Sequence, residues 1–285
     1  MSSLTYKSFV VAGTGALGSA IASELAKQGA NVVFFTRGGN SATPEGIPTK
    51  VVNYTDADAV AEALQGTEVV VSTLSGAGFA VQPTLADAAK KAGVKLFVPS
   101  EFGSRTQDLP AENPLAFKAQ FQQYLKSIGL PYTIYNVGLF ADVPLNAFPG
   151  VLDIPAKKLT IVGKGETKIS LATRPDIGHF VAYTLTHLPA SRLENGILGL
   201  EGSKLTFKEI ATVWEKKYGG KFEIEHRDPD AVLQEVKAKG PAGILDYILW
   251  VFEQGYANVT DDSALVPGWK PLSYDEAVAK YYPDA

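Results

Sequence analysis

The chain has 285 residues, 46% of them hydrophobic and 20% charged, with a formal net charge of -4 at pH 7. That length suits one large domain or two modest ones, and the mild acidity gives no basic footprint for nucleic acid or for an anionic membrane. Cysteine is absent, which excludes disulfides, a thiol nucleophile and a thiolate metal site.

No apolar run approaches a membrane span, and the polar stretch Met1 to Lys7 has no signal-peptide character. A cytoplasmic location is the expectation, and the absence of cysteine suits such a reducing compartment. Phe9 to Ala12 reads as the first strand. It runs into Gly13-Thr14-Gly15-Ala16-Leu17-Gly18, and a helix follows to Gln28, with Leu17, Ile21 and Leu25 recurring every four residues. Strand, glycine turn and helix together make a dinucleotide-binding signature. Gly13 permits the tight turn, Gly15 lets a pyrophosphate approach the backbone, and Gly18 lets the helix pack on the strand. Backbone N–H groups at the helix start then face the phosphates.

Further β-like runs are Asn31–Thr36, Lys50–Asn53, Glu68–Thr73, Lys95–Val98 and Tyr132–Asn136. They alternate with helical segments at Ala57–Gln65, Val81–Ala92 and Pro114–Ile128. Gly29, Gly66, Gly93 and Gly129 are placed to end helices. Apolar strands alternating with helices predict a parallel sheet covered on both faces. The fold class is therefore α/β, a Rossmann-type doubly wound sheet with a smaller mixed α/β substrate domain. We expect a cofactor domain over 1–152, a substrate region over 153–285, and elements near 174–200 packing back on the first domain.

The pattern loosens after Phe140. Pro144, Pro149 and Pro155 interrupt the chain, and Gly163 and Gly165 mark a turn between two short strands. Thr206 and Glu209 have capping-box spacing at the head of a helix running to Tyr218, with Phe207, Ile210, Val213 and Trp214 on its buried face. Ala231 to Gly255 reads as helical, broken at Gly240-Pro241. His179, His187 and His226 are dispersed. Asp176 lies one turn before His179 without a third ligand nearby, so we expect no metal site.

An NAD-type site places a carboxylate at the end of the second strand. Here that position reads Thr36-Arg37-Gly38-Gly39, and the next carboxylate is Glu45. Arg37 is placed to meet a 2′-phosphate, a charge-assisted bond worth roughly 1.5–3 kcal/mol, or a tenfold to hundredfold preference for NADP(H). Lys50 offers a second positive group or is an ordinary surface lysine. The small-residue loop with Thr73, Leu74 and Ser75 lies at a carboxyl end of the sheet, where cofactor contact is expected.

Strand five continues into Val98-Pro99-Ser100-Glu101-Phe102-Gly103. Sixteen residues past Phe102 stands Lys118, followed by Leu130-Pro131-Tyr132-Thr133. With the glycine motif and Arg37, these residues resemble the isoflavone reductase-like family, the NmrA-like branch of atypical short-chain dehydrogenases. Asp176-Ile177-Gly178 and Trp214-Glu215-Lys216-Lys217 resemble further landmarks, while the tail after about Glu223 matches less clearly.

The resemblance implies NADP(H) binding and gives Lys118 an acid/base role beside the nicotinamide. It also implies hydride transfer to a small aromatic or conjugated substrate: a quinone-methide-like group, an enone or a quinone. From position alone Lys118 reads as a surface lysine, at the margin of a stripe formed by Phe117, Phe121, Tyr124 and Ile128. Partial desolvation there is expected to disfavour the charged amine. Pro114 occupies the position four before it, where the ordinary short-chain pair has tyrosine. Glu101 is either a group near the nicotinamide or a loop carboxylate or cap. Phe102 and Phe140 are expected to wall the site together with Trp250. Phe79, Phe148, Tyr247 and Phe252 belong either to the same pocket or to the core. The alternative is a non-catalytic NADP-binding redox sensor acting through protein partners. Monomer and homodimer both remain open.

Overall fold

The computed structural model describes residues 4–38, 43–143, 150–282 and 284. Gly39, Pro144, Phe148 and Pro149 lie outside the described residues. β1 (Ser8–Ala12), β2 (Asn31–Thr36), β3 (Thr49–Val51), β4 (Val69–Ser72) and β5 (Leu96–Val98) form one sheet in the order β3-β2-β1-β4-β5. Every pairing in it is parallel. Because strand side chains alternate, β1, β2, β4 and β5 each feed two cores, while the edge strand β3 is exposed. Phe9, Val11, Val69, Val71 and Val98 enter one cluster; Val10, Ala12, Val70 and Phe97 enter the other. Both faces are dry, which is why these strands read as almost unbroken apolar runs.

α1 (Ala16–Lys27) covers the first face with Ile21 and Leu25. α2 (Ala57–Ala63), α3 (Gln82–Lys91) and α4 (Ala116–Ser127) cover the second with Val60, Leu85, Phe121 and Leu125. β6 (Thr133–Asn136) continues the sheet through a parallel bridge between Phe97 and Tyr132. The doubly wound α/β reading of the sequence describes this half, with element ends shifted by at most two residues.

The second half returns to the first more than once. β7 (Leu139–Phe140), β8 (Leu152–Asp153), β9 (Lys158–Val162) and β10 (Ile169–Ala172) come next. Gly163 and Gly165 turn the chain between β9 and β10, yet those strands join different sheets. α5 (Arg174–His187) packs along α1. Gly178 permits that contact, since a Cβ there would lie 2.8 Å from the Ala20 carbonyl carbon. After α6 (Ala190–Leu193), β11 (Gly196–Gly199) pairs in parallel with β6. β12 (Ser203–Leu205) pairs with β10. After α7 (Phe207–Tyr218), β13 (Glu223–Arg227) pairs with β9. α8 (Pro229–Lys239), α9 (Ile244–Glu253) and α10 (Tyr274–Tyr281) complete the chain. A third core gathers Trp214, Phe222, Tyr247, Phe252 and Tyr274, and it draws in Leu109, Leu139 and Ala141 from the first half. Among the described residues no helix is long and apolar enough to cross a membrane.

Both halves of the predicted capping box at α7 are formed. Thr206 Oγ1 accepts from Glu209 N at 3.1 Å, and Glu209 accepts from Thr206 N at 2.7 Å. Lys168 bonds both Glu209 oxygens, at 2.6 and 2.7 Å. The Lys168 bond, then the Thr206 N–H, lower the Glu209 carboxyl from its ordinary 4.5 to about 2. A depressed carboxyl stabilises the fold above its unfolded value, and that contribution disappears as pH falls from 4.5 through about 2. Thr206→Ala should cost about 1 kcal/mol and lower Tm by roughly 2–4 °C in a thermal melt. An unchanged Tm would mean that the cap contributes nothing.

Candidate active site

β1 ends in the glycine turn. Gly13 takes a φ of 118°, the left-handed region that glycine tolerates. Thr73, just past β4, packs against this turn: its N donates to Ala12 O at 2.8 Å and its Oγ1 to Gly13 O at 3.0 Å. A Cβ at Gly18 would lie 2.0 Å from Gly13 O and 2.6 Å from Thr73 Oγ1. One threonine therefore fills the space that both glycines leave. A Cβ at Gly15 would instead meet nothing within 4 Å.

Gly15 caps α1 without any side-chain hydrogen bond, and the first turn carries no acidic residue. N–H groups at Ala16, Leu17 and Gly18 thus begin a helix whose positive end is neither capped nor opposed by a carboxylate, a good setting for phosphate. Thr14 is half-buried, Gly15 and Ala16 are exposed, and Leu17 leans on the core. Ser75 is exposed, while the Leu74 side chain turns inward beneath Gly78. Of the small-residue loop, Leu74 can therefore offer a ligand only its backbone.

Arg37 stands exposed directly after β2. Its charge is felt by Tyr54, whose hydroxyl donates to Phe35 O at 3.3 Å. Burial raises the Tyr54 phenol well above its ordinary value, and Arg37 acts against that rise. Lys50 is exposed on the neighbouring strand, opposite Phe35 in the register. The uncapped helix start, the open space at Gly15 and the guanidinium past β2 fit the pyrophosphate and 2′-phosphate of NADP(H).

The second part of the site begins where β5 ends. Val137 N and Gly138 N both donate to Gly103 O, at 3.0 and 3.1 Å, and fasten the Pro99–Gly103 turn to the end of β6. Lys118 reaches this turn from the first turns of α4. Its Nζ donates to Ser100 O at 2.8 Å and Glu101 O at 3.3 Å, and it lies 3.5 Å from Glu101 Oε2. The ammonium also stands 5.4 Å from the centre of the Phe79 ring. The Lys118 side chain is 13% exposed and that of Glu101 is 1% exposed.

Two expectations need correction here. Lys118 is not the surface lysine that position alone suggests, and its partly buried amine meets a buried carboxylate and two carbonyls as well as the Phe79 ring. Phe117 does not belong to the buried stripe of α4: it is exposed at 38% and packs against Phe79 at 5.0 Å between ring centres. The buried face of α4 is Phe121, Gln122 and Leu125.

A cavity of about 1040 Å³ opens at this point. Lys118, Glu101, Phe102, Phe140 and Trp250 all line it, so the sequence-derived catalytic and wall residues come together. Phe79, Tyr247 and Phe252 line it as well. Tyr247 and Phe252 are also core residues, so pocket and core are not alternatives for them. Phe102 stacks on Tyr135 at 6.0 Å, and Trp250 on Tyr247 at 5.5 Å. Burial pushes the Tyr247 phenol up to about 12. Gly13 to Gly18, Arg37 and Thr73 to Ser75 do not line the cavity; they stand at the carboxyl ends of β1, β2 and β4, and Gly76, next in the chain after Ser75, does line it.

Sequence reasoning missed Thr106 and Gln122. Thr106 Oγ1 donates to Glu101 Oε2 and Gln122 Nε2 to Glu101 Oε1, each at 2.7 Å. Gln122 had one available signal, its position four residues after Lys118 on one helix face. The histidines serve elsewhere. His179 pairs with Glu24 at 3.0 Å across α1 and α5, His187 stacks on Tyr183, and His226 bonds Gly163 O. Among the described residues no three metal-ligating side chains converge.

Residues 6–265 match the model of the NmrA-like family. The chain belongs to that family. Within the NmrA-like family it is similar to an isoflavone reductase homolog from Zea mays, 30% identical over 99% of this chain and 100% of the relative. A phenylcoumaran benzylic ether reductase from Ginkgo biloba is 27% identical over 95% of this chain and 97% of its own length. Among solved structures, the binary complex of leucoanthocyanidin reductase with NADPH from Vitis vinifera superposes with a TM-score of 0.82. It covers 96% of this chain and 98% of its own at 24% identity.

Proposed function

We propose that this protein is an NADPH-dependent reductase of a small aromatic or conjugated substrate. One observation carries the reading: a large cavity walled by aromatic side chains has a largely buried lysine, Lys118, at the carboxyl edge of a dinucleotide-binding sheet. Its relatives point the same way, since they include an isoflavone reductase homolog and a phenylcoumaran benzylic ether reductase. The grape reductase was solved with NADPH.

Gly13 to Gly18 receive the pyrophosphate, and Arg37 meets the 2′-phosphate. NADPH, when bound, supplies the hydride. Phe102, Phe140 and Trp250 hold the substrate ring by burying its faces and excluding water. Lys118 gives a proton from Nζ to the substrate oxygen that gains charge as the carbon is reduced. Residues 1–152 then form the cofactor half, with 174–200 packed on it, and 153–285 supply the far wall of the substrate site. The acceptor is an enone, a quinone-methide-like phenol derivative or a quinone of phenylpropanoid, lignan or isoflavonoid type.

The test is NADPH oxidation by the purified protein across a panel of quinones, enones and lignan-type phenols. Turnover with at least one class is expected. Arg37→Ala should raise the KM for NADPH about tenfold to hundredfold and leave that for NADH little changed. No turnover with any acceptor, alongside tight capture of a protein partner, would replace the enzyme with a redox sensor.

A further inference from the structure

A lysine stem is flexible, and α4 alone does not fix where the Lys118 ammonium stands. We propose that Glu101 is a positioning residue: its carboxylate, clamped by Thr106 and Gln122, holds the Lys118 ammonium at the cavity wall. This inference rests on the proton role of Lys118 given above.

The geometry is specific. Glu101 is buried, and each of its carboxylate oxygens is engaged. Oε2 accepts from Thr106 Oγ1 at 2.7 Å and faces Lys118 Nζ at 3.5 Å; Oε1 accepts from Gln122 Nε2 at 2.7 Å. Gln122 Nε2 also donates to Thr106 Oγ1 at 3.2 Å, which closes the clamp. The three parts come from the turn after β5, from the short helical turn Thr106–Asp108 and from α4. Glu101, Thr106 and Lys118 all line the cavity, whereas Gln122 lies behind them in the core.

A carboxylate is costly to bury unless it is paired and hydrogen-bonded, and this one is both. It caps no helix, so capping does not explain its place. Its own backbone carbonyl adds a second contact to the ammonium at 3.3 Å. Together with the 2.8 Å bond to Ser100 O, pair and clamp hold the amine at the wall of the substrate cavity. In the reductive step, hydride goes to carbon, an N–H bond of Lys118 breaks, an O–H bond forms on the substrate, and a proton from water restores the ammonium. Glu101 takes no part in the proton transfer and keeps the recharged amine in position.

Glu101→Gln preserves shape and removes the charge. It should lower kcat roughly 10- to 100-fold, within the range that positioned proton transfer commands, with the KM for NADPH unchanged. Thr106→Val should lower kcat less, by roughly 3- to 10-fold, because it removes one arm of the clamp. The deciding readout is a double-substitution cycle. In a Lys118→Met background, adding Glu101→Gln or Thr106→Val should produce no further loss, since both act only through the amine. Circular dichroism and NADPH titration confirm folding in each variant. If Glu101→Gln does not fold, Thr106→Val in both backgrounds carries the same test. Wild-type kcat in the single variants, or equal losses with and without Lys118, would overturn the positioning role alone. Wild-type turnover in Lys118→Met would remove the proton role of Lys118 and this inference with it.

Discussion

Lys118→Ala should lower kcat for NADPH-dependent reduction by about 10²–10⁴-fold while NADPH still binds. The two halves of that expectation come from different parts of the site. Lys118 is the cationic side chain buried at the aromatic cavity, paired with Glu101 at 3.5 Å. The glycine turn and Arg37 do not line that cavity, so removing the amine leaves their contacts intact.

The substitution also leaves the Glu101 carboxylate buried without its cation. Such half-pairs cost about 3–5 kcal/mol, so the variant should melt at a lower temperature as well. Kinetics must therefore be measured well below its Tm, with the folded fraction checked. Adding Glu101→Gln to Lys118→Ala should restore part of the lost stability without restoring turnover, because it neutralises the stranded charge but supplies no proton donor. Recovery of both would mean that the lysine serves the fold alone. Full turnover in Lys118→Ala would mean that water delivers the proton.

The cofactor half was legible because its signals are local. A strand, a glycine turn and a helix sit within Ser8–Lys27, and β1, β2, β4 and β5 are short, mostly apolar strands, while the edge strand β3 is exposed. The walls of the substrate site were only partly legible. Phe102, Phe140 and Trp250 stand on β5's following turn, on β7 and on α9, and only the packing of α8 and α9 brings them around one cavity. Aromatic composition alone could not separate pocket from core, since Tyr247 and Phe252 belong to both.

Phe117 was misread for a related reason. Helical spacing says which residues share a face, not whether that face meets the sheet or an opening. The first turn of α4 overhangs the cavity, so Phe117 packs on Phe79 there, while Phe121 and Leu125 below it reach the core. Thr106 was invisible because its partner, Glu101, is engaged through a non-helical turn whose path no periodicity describes.

Gly18→Ala should disable both the fold of the first half and its grip on NADPH. The new Cβ would stand 2.0 Å from the carbonyl oxygen of Gly13 and 2.6 Å from Thr73 Oγ1. The first obstacle is backbone, so no rotamer change relieves it. α1 must move away from β1, against the tight packing of α1 on α5 at Gly178. Overpacking of this kind costs about 1–3 kcal/mol, and a backbone clash belongs at or beyond the upper end. The displaced helix also carries the N–H groups proposed to meet the pyrophosphate, so the Kd for NADPH should rise by at least about tenfold. Gly15→Ala is the informative contrast. Its Cβ would meet nothing within 4 Å, and Gly15 already holds a φ of -69° that alanine accepts. That variant should melt within a few degrees of the parent, yet bind NADPH at least about tenfold more weakly, because in the proposed binding mode the phosphates come closest at the open space above Gly15. Calorimetry and nucleotide titration on the two variants separate these effects. Wild-type affinity in Gly15→Ala would place the pyrophosphate elsewhere, and a wild-type Tm in Gly18→Ala would show that α1 is not locked against β1 as tightly as the 2.0 Å approach requires.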